Sequence, residues 1–179
     1  LALNLAHCFA QNSKVAIADT DVQGSISEIE DFLKNIDIVP LNSIDKLDAH
    51  GYDILIIDTP PYLTNQLHQI FLLSDFVLIP TKAGYLDALA VKATIALYKE
   101  ALKEKPTLKG GVILNMLMHN TNLNEEIKEI LEGYDLPLLQ TTISHRVSFA
   151  RSPMTSGVFN SDDSRAKNEI VNLMEEIFT

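Results

Sequence analysis

Residues Lys14–Gly24 read KVAIADTDVQG, and residues Tyr52–Pro61 read YDILIIDTPP. In each, a short continuous apolar run ends in aspartate. Val15–Ala18 and Ile54–Ile57 lack the alternation of a half-exposed strand and carry β-branched residues, a pattern that suits parallel strands buried on both faces. Asp19, Asp21 and Asp58 follow directly, which predicts all three at the carboxyl edge of one sheet, where open α/β folds bind ligands. Three carboxylates gathered there repel one another unless a cation lies among them. Mg²⁺ takes few protein carboxylates, keeps several waters and bridges to phosphate. A single aspartate after a strand is often only a cap for the next turn or helix. Two such segments with the same design favour a magnesium–nucleotide site.

Outward from these strands, the pattern alternates helix and strand. Leu1–Gln11 reads as a helix with Leu1, Leu5, Cys8 and Phe9 on one face. Ser25–Lys34 reads as a second helix, with Ser25 as cap and Glu28 three residues on. Asp37–Pro40 is a short strand, Ser43–Ala49 a short helix, Asp53–Asp58 a strand and Thr64–Leu73 a helix. Strand Phe76–Pro80 precedes the longest helical periodicity, Tyr85–Lys105, which Pro106 follows as a stop should. Gly110-Gly111 opens strand Val112–Asn115. Helix Asn124–Glu132 ends at Gly133, Leu136–Ile143 holds the last strand, and Ser164–Phe178 is an amphipathic helix with Ile170, Leu173, Met174 and Ile177 inward. The expectation is an α/β fold: a mostly parallel, doubly wound sheet with helices on both faces, in a single domain over residues 1–179.

Composition narrows the function. With 46% hydrophobic and 21% charged residues, the chain is ordinary globular material and not disordered. A net charge of −10 argues against general affinity for nucleic acid or acidic membrane, leaving only local basic patches. The one cysteine, Cys8, excludes an internal disulfide and fits a reducing, cytoplasmic compartment. No apolar run is long enough for a membrane span, since Gln69–Pro80 is broken by Ser74-Asp75. His7, His50, His68, His119 and His145 are scattered without metal-ligand spacing. No G-x-G-x-x-G follows a strand, so a dinucleotide dehydrogenase is not expected.

With these residues placed, VAIADTDVQGS resembles the aspartate-x-aspartate segment of ParA/MinD-type ATPases, the deviant-Walker P-loop family, with Val22 where proline is usual. YDILIIDTPP is similar to that family's Walker B strand and switch loop. DFVLIPTKAGYLDALAV resembles the next strand and helix, GGVILNM the strand whose asparagine faces adenine, and TTISHRVSFARSPMTSG the threonine–isoleucine–proline–arginine region. Ser144 replaces the common proline there, and Arg146 stands where asparagine or aspartate is frequent, so the choice of adenine over guanine does not follow. No G-x-x-x-x-G-K-[ST] occurs in these residues. LALNLAHCFA resembles the helix that follows the phosphate loop. The chain therefore reads as beginning just past that loop, without the first strand of the fold. Loop amides and the lysine supply most of the positive field around phosphates. The chain as given is expected to bind ATP poorly and hydrolyse essentially none.

For the complete protein, the resemblance implies an ATP hydrolase with ATP and Mg²⁺ as cofactors. Asp58 would hold a water of the metal shell, Asp21 would orient the attacking water, and Asp19 would support the metal shell or the phosphate loop. Asn115 would contact the adenine edge. Pro60 and Pro61 would stiffen the loop that senses the γ-phosphate. An ATP-dependent homodimer, a ParB-like activating partner and nonspecific DNA contact through Arg146, Arg151, Arg165 and Lys167 are implied. Lys92, Lys99, Lys103, Lys105 and Lys109 form a further basic series. Membrane docking is disfavoured, because the last helix carries Glu169, Glu175 and Glu176 without a basic face. Two alternatives stand beside the partition or cargo-positioning ATPase: a non-catalytic adaptor of the same fold, and a phospho-accepting receiver domain using Asp58 with Thr81 as hydroxyl partner.

Overall fold

Strand β1 (Val15–Asp19) is buried along its first four residues, and it pairs in parallel with β2 (Ile36–Ile38) on one side and β3 (Ile54–Asp58) on the other. These pairings come from a computed structural model that describes residues 1–20, 33, 35–39, 51–118 and 123–178. The predicted helices Ser25–Lys34, apart from buried Leu33, and Ser43–Ala49 lie outside the described residues. The chain divides into two compact units: residues 1–64 with 146–174, and residues 65–145 with 175–179.

The first unit holds a three-stranded parallel sheet in the order β2-β1-β3. The continuous apolar run of β1 has its physical reason here, since a central parallel strand has no solvent face. Helix α1 (Ala2–Phe9) packs on β1 and β3 and is buried at seven of its eight residues. Strand β2 begins at Ile36, one residue before the expected Asp37, because buried Ile36 pairs with Val15. β3 is as apolar as β1, yet all of its residues keep partial exposure, and among the described residues it pairs only with β1.

The second unit holds β4 (Phe76–Thr81), β5 (Lys109–Leu117) and β6 (Leu138–Ser144), again parallel, in the order β4-β5-β6. Helices α2 (Leu67–Leu73), α3 (Tyr85–Glu104) and α4 (Leu123–Glu132) complete it. Its core brings Phe71, Ile95, Tyr98, Val112, Leu114 and Leu131 together. β5 starts earlier than the two glycines suggest, and they lie within the strand for a packing reason. A Cβ on Gly110 would stand 2.6 Å from the Tyr98 ring, and one on Gly111 would stand 2.9 Å from Leu139. Two elements end the chain: α5 (Val147–Arg151), which the sequence pattern did not announce, and α6 (Ser164–Phe178), which has the predicted bounds. Ile170 and Leu173 are fully buried, whereas Met174 and Ile177 are half-buried. Residues 152–160 between α5 and α6 wind through two short 3₁₀ turns, Ser152–Met154 and Val158–Asn160.

Candidate functional site

Asp19 and Asp58 are register partners, the last residues of two adjacent parallel strands. Neighbouring strands lie about 4.8 Å apart, and residues in register project to the same face. The two carboxylates therefore share one rim of the sheet, as the sequence predicts. Thr20 closes this rim. Both its backbone amide and its hydroxyl donate to the Asp58 carbonyl, each at 2.9 Å. Thr20 thereby ties the residue after β1 to the end of β3 and fixes the spacing of the two strand ends. α1 packs on β1 and β3, the strands that carry this rim.

This donor set is all oxygen and fits a hard cation. Among the described residues no group of three or more His, Cys, Asp or Glu side chains is gathered. Two carboxylates suffice for Mg²⁺, which completes its octahedron with waters and phosphate oxygens. Asp21 lies outside the described residues. Pro60 is buried and Pro61 exposed. In the second unit, Asn115 lies inside β5 and not at its end; its side-chain carbonyl accepts the Met116 amide at 3.0 Å, and Met116 has φ 55°. Thr81 is buried, with its hydroxyl 3.3 Å from the Lys82 carbonyl.

The basic residues do not form one uniform set. The Nε of Arg146 donates to Asp163 at 2.6 Å, which commits its charge within the protein. Arg151 and Arg165 are exposed. On and near α3, Lys99 pairs with Asp135, Lys103 with Glu100, and Lys105 with Asp75 and the Ser74 carbonyl. These pairs compensate three of the five lysines of the series.

A buried polar network in the first unit escaped the sequence reading. Asn4, on α1, donates to the Ser152 hydroxyl at 2.9 Å and accepts the Val158 amide at 2.9 Å. Ser152 in turn donates to the Phe149 carbonyl at 2.8 Å. One turn along α1, the His7 ring packs against Gly157, whose φ of 82° and close approach exclude a side chain. His7 Nε2 has no hydrogen-bond partner among the described residues, and burial pushes the imidazole pKa down. Cys8 is buried, its thiol 3.7 Å from the Met174 sulfur, as expected of a packing thiol.

A parallel sheet whose adjacent strands β1 and β3 both end in aspartate, with α1 packed on it, is of the α/β nucleotide-binding class. The chain belongs to the CobQ/CobB/MinD/ParA nucleotide binding domain family, whose description matches residues 1–157. Its fold is that of the ParA/MinD-type ATPases, and this replaces the receiver-domain alternative. It is 26% identical to maintenance of carboxysome distribution protein A of Halothiobacillus neapolitanus, over 99% of this chain and 88% of that protein. A putative plasmid partition protein of Borrelia burgdorferi B31, solved with AMPPNP, superposes with a TM-score of 0.71 at 22% identity, covering 99% of this chain and 90% of that one. The MinD cell division protein of Aquifex aeolicus gives 0.73 at 14% identity, covering 98% and 89%.

Proposed function

We propose that this chain is the nucleotide-binding part of a ParA-like ATPase switch that partitions or positions a cargo, with Mg-ATP binding and hydrolysis controlling self-association and partner contact. The observation that carries this reading is the Asp19–Asp58 register pair, with Thr20 bridging to Asp58. Asp58 would hold the Mg²⁺ shell against the β and γ phosphates, and Asp19 would support that shell. Asp21 would orient the attacking water, a task that in-line phosphoryl transfer needs more than a strong base. When bound, Mg²⁺ neutralises charge developing on the phosphates.

The half-exposed apolar strand β3 supports the same reading. Ile54, Leu55, Ile56 and Ile57 have the composition of a strand flanked on both sides, so a further parallel strand carrying the phosphate loop suits its second edge. Asn115 would contact the base, and its proposal rests on the family likeness. The relatives' names, a carboxysome distribution protein and a plasmid partition protein, support a positioning role. An ATP-dependent homodimer and a ParB-like activator would be its partners, on the family likeness alone.

The test is binding and hydrolysis of Mg-ATP by the intact protein. Wild type is expected to bind a fluorescent ATP analogue in a magnesium-dependent way and to turn ATP over. Asp58→Asn is expected to lower kcat by about 100-fold or more, the scale for losing a preorganised charge-stabilising group. A wild-type protein that binds no nucleotide leaves the adaptor of the same fold as the reading.

A further inference from the structure

We propose that Asn4 is a positioning residue: through Ser152 and Val158 it fixes α1 against the two aspartate-bearing strands, and nucleotide affinity at their rim depends on it. This rests on the nucleotide-binding reading above. The chemistry begins with how α1 is held. In a protein most of a helix's stability comes from tertiary packing of its apolar face, so the place of α1 is set by what it packs on. Leu3, Leu5, Ala6 and Phe9 bury apolar surface, but that attraction is non-directional and tolerates sliding and rotation. Hydrogen bonds are directional, and buried ones are costly to leave unmade.

Asn4 supplies two of these in opposite senses. Its amide nitrogen donates to Ser152 and its carbonyl accepts from Val158, so neither a shift along the axis nor a rotation keeps both. Both ends are buried, with Asn4 at 4% and Ser152 at 1% exposure, so water does not replace the partners. The receiving segment is itself fixed. The Gly157 amide donates to the Ser152 carbonyl at 2.9 Å, and Asp163 accepts from Arg146 and from Ser148 at 2.6 and 2.7 Å. His7 against Gly157 adds a steric stop one turn along the helix. α1 touches β1 and β3, the strands that end in Asp19 and Asp58. A site of hard oxygen ligands loses binding when its parts shift by about 0.5 Å. Asn4 therefore acts on the rim through α1 without touching a ligand.

The experiment compares Ser152→Ala and Asn4→Leu with wild type in the intact protein. Ile170→Val, a buried truncation on α6, serves as a destabilised control. Two quantities are read at temperatures where every variant is folded. The first is the Kd of a fluorescent Mg-ATP analogue, with KM and kcat alongside. The second is hydrogen exchange at the Asn4 and Leu5 amides, which both donate to the Leu1 carbonyl. Ser152→Ala is expected to raise Kd and KM about fivefold with kcat within about twofold, the signature of lost ground-state positioning. Asn4→Leu is expected to raise them further. Exchange at both amides accelerates in both variants, while Ile170→Val leaves Kd and exchange at wild-type values. Unchanged Kd and exchange in both variants overturn the proposal, as does an equal change in the control. Should wild type bind no nucleotide, the functional reading fails on its own, and amide exchange alone decides whether Asn4 fixes α1.

Discussion

Arg146 and Asp163 form a charge-assisted hydrogen bond of 2.6 Å that closes the segment between β6 and α6. Asp163 also accepts from Ser148 and, at 3.1 Å, from the Ala166 amide, so it caps α6 as well. The hydrogen bond from Arg146 chiefly holds its carboxyl well below the usual carboxylate range; burial opposes this, and Ser148 and the Ala166 amide add to it. Because the folded-state pKa is depressed, the stabilisation is complete above the unfolded value of about 3.9 and is lost as pH falls from there toward the lower folded value. Thermal unfolding followed from pH 7 to pH 2 is expected to show a steep loss below about pH 4 in wild type. Asp163→Asn should start lower and lose less over that window. Asp163→Ala additionally loses the helix cap, worth about 1 kcal/mol.

Gly157→Ala should be among the most damaging single-methyl changes in the first unit. The backbone is at φ 82°, and the new Cβ would stand 2.7 Å from the buried His7 ring. Strain in the left-handed region and displacement of a packed ring together predict a loss of about 2–4 kcal/mol, read from the denaturant midpoint. His7→Ala in the Gly157→Ala background removes the steric part only. The double mutant should therefore lose less than the sum of the two singles, and strict additivity would contradict the contact.

How much of this was legible in the sequence depends on the range of the interaction. Val15–Asp19 and Ile54–Asp58 are legible because a parallel strand with two apolar faces writes its own local pattern, and the aspartate at the end of each places the rim. Tyr85–Glu104 was legible for the same reason, through its helical period. Asn4 looked like an unremarkable polar position in an apolar helix, because its partners lie 148 and 154 residues away and no local pattern encodes them. A pair of glycines before an apolar run suggests a strand opening, whereas contacts with Tyr98 and Leu139 make Gly110 and Gly111 strand interior. Sequence proximity places Arg146 with Arg151 and Arg165, and only the fold supplies Asp163 as its partner.

Glu176 offers an independent check on the second unit. Its two carboxylate oxygens accept the Gln140 amide at 2.6 Å and the Thr141 amide at 2.9 Å, where the β5–β6 register shifts. Burial pushes the Glu176 carboxyl up, but hydrogen bonds from Thr141 and Gln140 prevail and leave it lowered. Its contribution is thus present above the ordinary glutamate range and fades as pH falls below it. Glu176→Ala removes the acceptor from both amides and should cost about 1–3 kcal/mol. Hydrogen exchange at Gln140 and Thr141 should accelerate more than at the β4–β5 pairing, and uniform acceleration would argue for a global effect instead.

The same distinction between committed and uncommitted cations makes the DNA proposal quantitative. Each phosphate contact contributes about −0.9 to the slope of log affinity against log salt on duplex DNA. If the ATP-bound protein holds duplex through its exposed arginines, Arg151→Ala and Arg165→Ala should each make that slope shallower by about 0.9. Arg146→Ala should leave the slope unchanged, because its guanidinium is already paired with Asp163 and has no counterion release to contribute. Lys99→Ala should behave like Arg146→Ala, because Lys99 is paired with Asp135. A slope that responds to Arg146 but not to Arg151 would place the contact elsewhere on the molecule, and no retardation of duplex at low salt by the ATP-bound wild type would remove DNA from the list of partners.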